Sequence, residues 1–575
     1  MRKVADCSFV HFVYPFLFDT ESFAARVKQL DAAMCKSETR ANRDLPMWQP
    51  LWKEKGFPRD DMLASVADFL NPKDSDKATA RVWKLNDSLD EAFGLAERAA
   101  WELLKPGRQK GRVIPFHLGE SGGSKSSRFA VQLALFRVGV GFLTVRATPD
   151  SEDLDEWLTF ISRFRFVKGQ RKYVVRATKS VRDAETQELK SVEFFPPIAA
   201  AKRPAAVATS AGVATAPTKT TAAEEDDAEK HFIDILDALL RSGSLSEGEE
   251  WWTDVFIPEQ LIPFAALYVD EETETQAIGE LAAADKATSE AHDFAAAQQE
   301  QQRREDFQLI YMLRNFYHPP QGTNPAPEDL GAEQPAIIPY AERCWFIFSL
   351  DGGSFLACDA PQTDFFRHTM PDHLRDQYYL LLLIVLHQRF TLMSLSQDVA
   401  TKWLTERDEE KRIKAFRSIR DRLLDFTAHG LFTQVMQREH HHRCYRKWQE
   451  VFQIQDLYEE VRDEVREMND YLQTLRTEQL GQLAEDRKKQ IEAQTAADKQ
   501  REREAQERAT RLERIIGLIG ICFGVPALVI GFLGINLAEL TTGQGLKIWQ
   551  AVTSVLGVSA VSVFVIWLML RKHMK

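Results

Sequence analysis

Two apolar stretches without a charged residue, Ile515 to Leu537 (IIGLIGICFGVPALVIGFLGINL) and Ile548 to Leu570 (IWQAVTSVLGVSAVSVFVIWLML), flank the short polar segment Ala538 to Lys547. Each has the ~20 residues that a helix needs to cross a bilayer core. The pattern therefore predicts a two-helix transmembrane hairpin. Lys and Arg are retained on the cytoplasmic side of a membrane. Arg508, Arg511 and Arg514 precede the first run and Arg571, Lys572 and Lys575 follow the second, whereas the segment between holds only Glu539 and Lys547. Both ends of the hairpin, and both termini, are expected on the cytoplasmic side.

Within the first run Gly517, Gly520, Gly524, Ala527, Gly531 and Gly534 alternate spacings of three and four, which lines one face of a helix. Two uses compete for such a face. Small residues let membrane helices approach closely, and Gly520 and Gly524 form a GxxxG pair. Alternatively, the stripe lines a narrow aqueous passage. Gly534-Ile535-Asn536 at its end, which places an amide side chain at the outer mouth, favours the passage.

A long charged helix, a first membrane helix ending in Gly534-Ile535-Asn536, a short external loop with Glu539, a second membrane helix and a basic tail together resemble the CorA superfamily of divalent-cation channels. The usual motif there is Gly-Met-Asn, and the isoleucine form is similar to the zinc-transporting ZntB branch. The resemblance covers about residues 440 to 575. It departs from the family in mid-helix: Pro526 stands one residue out of step and Ala527 replaces a polar threonine, leaving the inner half of the passage bare. The resemblance implies a multi-pass protein of the bacterial inner membrane, a homopentamer with five first helices around the axis, and a ring of five Asn536 amides at the mouth. Such a neutral ring suits Mg2+, which sheds water reluctantly and is held with its hydration shell. Glu539 would draw cations in, and Gly531 and Gly534 would expose carbonyls below. The loop has no His or Cys, which weakens a Zn2+ preference; Zn2+, Co2+ and Ni2+ stand behind Mg2+ as cargo or regulatory ion. No other cofactor is expected.

The remainder is too long for one core, at 575 residues in all. Segment 1–195 reads as an α/β lobe, with strands either side of Val138-Gly139 and a helix carrying Leu154, Trp157, Leu158, Ile161 and Phe164, capped by Asp150 or Ser151. The opening MRKVADCSFVHFVYPFLFD reads as a first strand. Gly119 to Ser126 imitates a phosphate loop, but Ser124 replaces the second glycine and a strand follows, so a polar loop is expected. Segment 196–227, rich in Ala, Thr, Pro and Lys, is a disordered linker. A second lobe, 228–435, passes from α/β to helical; it has a hairpin over Cys344 to Cys358 turned at Asp351-Gly352, and an acidic insertion, Asp270 to Glu305, that is either disordered or a solvated helix. The apolar run Tyr378 to Leu386 is too short to span and is expected as a buried helix, with His387 a core histidine.

From about His440 one helix is expected to run into the membrane, a stalk over 436–514 followed by membrane helices 515–537 and 548–570, loop 538–547 and tail 571–575. Ile454, Tyr458, Val461, Val465, Met468, Leu472 and Leu475 keep a packing heptad, and beyond Leu483 the helix is polar all round. Its acidic residues Asp456, Glu459, Glu460, Asp463, Glu464 and Glu467 read as a solvated face or a regulatory cation site, the former favoured. Glu439-His440-His441-His442-Arg443-Cys444 contains metal-ligand chemistry, but neighbouring arginines favour a solvated face.

The net charge of −12 argues against a nucleic-acid partner. Six scattered cysteines without a CxxC pair read as reduced thiols. No nucleophile, base and oxyanion donors assemble, so no enzyme is expected. Two further functions stand beside the channel. The soluble part is about twice the size usual for the family, and some CorA-like proteins with enlarged cytoplasmic domains are signal-gated effectors of prokaryotic antiviral defence, opened by a small cytosolic ligand of nucleotide type. A membrane-anchored scaffold that conducts nothing is the third.

Overall fold

The computed structural model describes residues 2–37, 47–72, 79–86, 100–103, 114–119, 130–167, 175–178, 181–182, 189–190, 198–199, 232–246, 248–256, 259–271, 289–317, 325–326, 336–537 and 545–573. The chain divides into two units, Met1–Asn469 and Asp470–Lys575.

The first unit is built on one mixed sheet. At its centre lies β1 (Phe9–Leu17), whose sequence FVHFVYPFL is buried on both faces. Strands β2 (Ala80–Leu85), β3 (Ile114–Leu118), β4 (Val131–Phe136) and β5 (Val140–Pro149) extend the sheet on one side. Strands β6 (Ile262–Glu271), β7 (Ile337–Ala341), β8 (Cys344–Ser349) and β9 (Gly352–Cys358) extend it on the other. β5 pairs antiparallel with β1 along one edge; its other edge meets β4 first and β3 last. β6 pairs antiparallel with β1 and parallel with β9. The segments expected as separate lobes on either side of 196–227 thus share one sheet. The linker itself lies outside the described residues except Ile198–Ala199, which pairs with Met34 and Cys35.

Pro15 would be disruptive in a central strand because it has no N–H to give the ladder. It is tolerated because the pairing of β1 with β6 ends at Val13, and the short strand Thr253–Asp254 takes over at Phe16. Gly139, at φ +91°, makes the tight turn between β4 and β5 that its sequence context predicts. Here a Cβ would lie 2.6 Å from the Phe18 carbonyl oxygen.

Helices cover both faces. On one, α1 (Leu154–Phe164) buries Trp157, Leu158, Phe160, Ile161 and Phe164, and Phe164 lies 4.5 Å from Phe12 of β1. Its N-cap is Asp153, which accepts from the Asp155 amide, and not Asp150 or Ser151; the Ser151 hydroxyl instead accepts from the Asp153 amide. Helix α2 (Ser289–Asn315) is exposed over 296–304 except at the half-buried Gln302, in keeping with a solvated helix there, and buries Phe307, Leu309, Ile310 and Leu313.

The other face meets α3 (Phe365–Trp403), which begins before Pro371 and contains π-helical turns at Phe365–Thr369, Leu374–Tyr378 and Val399–Trp403. Counting only residues whose side chains are described, which omits many in the apolar runs of the last two helices, α3 alone is long and apolar enough to cross a membrane, and 78% of its apolar window is buried inside the protein. It is a core helix, as the short apolar run predicts. Next come α4 (Glu409–His429), α5 (Glu439–Val451) and the 84-residue α6 (Ile454–Leu537). The helix expected to be continuous from His440 is broken at Phe452 and Gln453, the latter in the left-handed region at φ +54°. Two aromatic contacts fix the corner: Trp448 stacks on Phe452 at 5.4 Å, and the Arg389 guanidinium lies 5.0 Å from the Phe452 ring centre. The heptad reading holds for Ile454, Val461, Val465 and Met468, which are buried, whereas Leu472 and Leu475 are half-buried.

Candidate functional site

In the second unit, α6 carries the first apolar run to Leu537, and α7 (Gly545–His573) contains the second. Gly517, Gly520, Gly524, Ala527 and Gly531 all lie on the helical part of α6. A Cβ built at Gly517, Gly520, Gly524 or Gly531 would meet nothing within 4 Å, so the stripe is not where α6 packs on its own chain. The flanking apolar side chains are equally uncovered: Ile516 is 63%, Ile521 64% and Phe523 74% exposed. Gly534, Ile535 and Asn536 form the last helical turn, and their side chains lie outside the described set; Glu539 lies outside the described residues altogether.

From Ile515 to Leu537 α6 is a charge-free, largely apolar segment with a stripe of small residues along one side and the amide-bearing Asn536 near its end. Transfer of that much apolar surface out of water is strongly favourable, at about 25 cal/mol per Å².

The histidine cluster at the start of α5 is not the solvated face expected from its arginines. His441 is fully buried, its ring 4.7 Å from that of Tyr378, and Cys444 is buried beside it. Burial pushes the His441 imidazole down to about 3 and the Cys444 thiol up. The cause is tertiary: α5 lays its apolar residues on the sheet, with Trp448 4.7 Å from Phe348. Among the described residues no group of three His, Cys, Asp or Glu side chains is placed to hold a metal ion. The acidic residues of α6 remain a largely exposed face; only Glu464 is half-buried, 3.5 Å from the Ser396 hydroxyl, and burial pushes its carboxyl up. The loop resembling a phosphate loop lies outside the described residues beyond Gly119.

His387 is the core histidine expected, stacked on Phe136 at 4.2 Å and held down to about 3 by burial. His387 and His441 therefore both enter the fold neutral, below their ordinary value of 6.5. The unfolded chain binds more protons than the folded one between about pH 6.5 and 3, so stability falls as pH drops through that window. Urea midpoints measured from pH 7.5 to 4.5 should decline, and His387→Gln should flatten the decline.

A buried polar layer between the sheet and α3 had no signal in the sequence beyond a histidine inside an apolar run. His11 of β1 and Arg146 of β5 are cross-strand partners, both fully buried. Tyr379 of α3 stands edge-on to His11 at 4.6 Å and hydrogen-bonds to Thr144. At its rim Lys55 pairs with Asp376 at 3.5 Å. Burial together with Arg146, Arg375 and Lys55 holds His11 well below its usual range.

No protein-family model, curated protein or solved structure matches the chain.

Proposed function

We infer that the chain is a membrane channel of the CorA type for divalent cations, Mg2+ before Zn2+, Co2+ or Ni2+, and not an enzyme. The apolar end of α6 and helix α7 form the transmembrane hairpin, with the start of the first apolar run and the end of the second on the cytoplasmic side of a bacterial inner membrane. The observation that carries this reading is the uncontacted stripe from Gly517 to Gly531 on the charge-free segment Ile515 to Leu537 of α6. A small-residue face left empty by its own chain is available to other copies or to a water-filled axis. Two helices cannot enclose a pore, so conduction requires an oligomer, a homopentamer on the CorA resemblance. Asn536 would then hold a hydrated cation through its amide, with Ile535 beside it, Glu539 at the mouth, and Ala527 and the glycines lining the interior.

The test is divalent-cation flux into proteoliposomes, comparing wild type with Asn536→Ala for Mg2+, Zn2+ and Co2+ separately. Flux for one ion, reduced at least tenfold in the variant, is the expected result. Absence of flux from correctly inserted protein would sink constitutive transport. The size of the first unit, Met1–Asn469, favours as the second reading a channel kept shut until a small cytosolic ligand binds there.

A further inference from the structure

Helix α7 has one face unlike the rest. Trp549, Leu556, Ala560, Val563, Phe564, Trp567 and Arg571 recur at helical spacing along it. Its two tryptophans are five turns apart, about 27 Å at ~1.5 Å per residue. That separation nearly equals the ~30 Å hydrocarbon thickness of a bilayer. Trp549 is 73% and Trp567 52% exposed. Between them the small residues Ser559 and Ala560 floor a shallow groove walled by Leu556, Val563, Phe564 and Trp567. Phe564 stacks on Trp567 at 6.0 Å, and the Arg571 guanidinium lies 5.2 Å from the Trp567 ring centre. Arg571 and Lys572 are exposed, and no carboxylate among the described residues pairs with Arg571.

We propose that this face is a seat for an anionic phospholipid: an acyl chain lies in the groove, and the headgroup phosphate sits on Arg571 and Lys572. The proposal rests on the reading of α7 as a membrane helix. Three observations select lipid over a neighbouring helix. Closely packed membrane helices meet through small residues, whereas this face is bulky along most of its length. Tryptophans concentrate at both membrane interfaces, where the ring is half in hydrocarbon and half in water, and Trp549 and Trp567 are spaced to reach both. The cationic end adjoins the inner interface, where a phosphate offers the complementary charge.

The test uses the full chain reconstituted into phosphatidylcholine vesicles containing brominated phosphatidylglycerol or brominated phosphatidylcholine, with insertion checked by flotation. The fluorescence difference between wild type and Trp567→Phe isolates Trp567. Its signal should be quenched severalfold more by the brominated phosphatidylglycerol, and the double substitution Arg571→Gln, Lys572→Gln should erase that preference. Equal quenching by the two lipids in wild type overturns the headgroup site. A protein that floats with the vesicles while Trp567 escapes quenching overturns the whole seat, since a protein helix then covers it. Failure to float removes the membrane reading itself, a result distinct from the other two.

Discussion

Gly524→Leu is expected to abolish cation flux and oligomer formation while leaving the unfolding midpoint of the first unit unchanged. In its own chain a Cβ at Gly524 meets nothing within 4 Å, so the larger side chain has no intramolecular clash to cause. Replacing a helical glycine also removes a penalty of roughly 1 kcal/mol, so α6 itself should be strengthened. Any loss must then come from other copies of the chain or from the axis they enclose. Cross-linking or mass photometry in detergent, alongside proteoliposome flux, reads the two effects separately. Normal flux from Gly524→Leu would place the stripe toward lipid and sink the pore reading. Gly481→Leu, also uncontacted but well ahead of the first apolar run of α6, is the matched control and should leave flux unchanged.

Gly353→Ala should destabilise the first unit by about 3 kcal/mol, at the upper end of what overpacking costs. Gly353 lies in β9 under the Trp448 indole, and a Cβ there would sit 1.9 Å from its Cη2. The indole cannot retreat easily, because Phe348 and Phe452 hold it on two sides. The contact ties α5 to the sheet, so the variant should also loosen the corner at Gln453. Urea unfolding measures the first effect, and amide exchange at Phe452 and Gln453 the second. An unchanged midpoint would show that Trp448 has room to move.

The strands and buried helices of the first unit were legible where burial imposes a simple period. The β4–β5 hairpin follows from an apolar run interrupted by Gly139, and α1 from the apolar spacing between Leu154 and Phe164. What escaped reading is what depends on distant partners. Nothing local marks β1 and β6 as neighbours, since a strand buried on both faces looks the same whichever strand fills its edge. The arginines flanking His441 in sequence point to solvent, yet its environment is set by Tyr378 on another helix. The break at Gln453 was hidden because glutamine is an ordinary helix residue, and the left-handed turn is imposed by the packing of Phe452. For the candidate site, the sequence marks where the stripe lies on α6 but is silent on what covers it.

The central position of β1 also sets a timetable for synthesis. This strand precedes both of its partners in the chain, so β5 must follow before one of its edges is filled, and β6 before the other. Unfilled strand edges recruit other chains, and pairings this distant along the sequence form slowly. The newly made chain therefore passes through a long interval with a strand that the finished fold buries on both faces only half-paired. The apolar runs of α6 and α7 emerge only after the whole sheet has been made. Until β6 has been made β1 needs shielding, which makes the nascent chain a natural client for chaperones that hold unpaired strands.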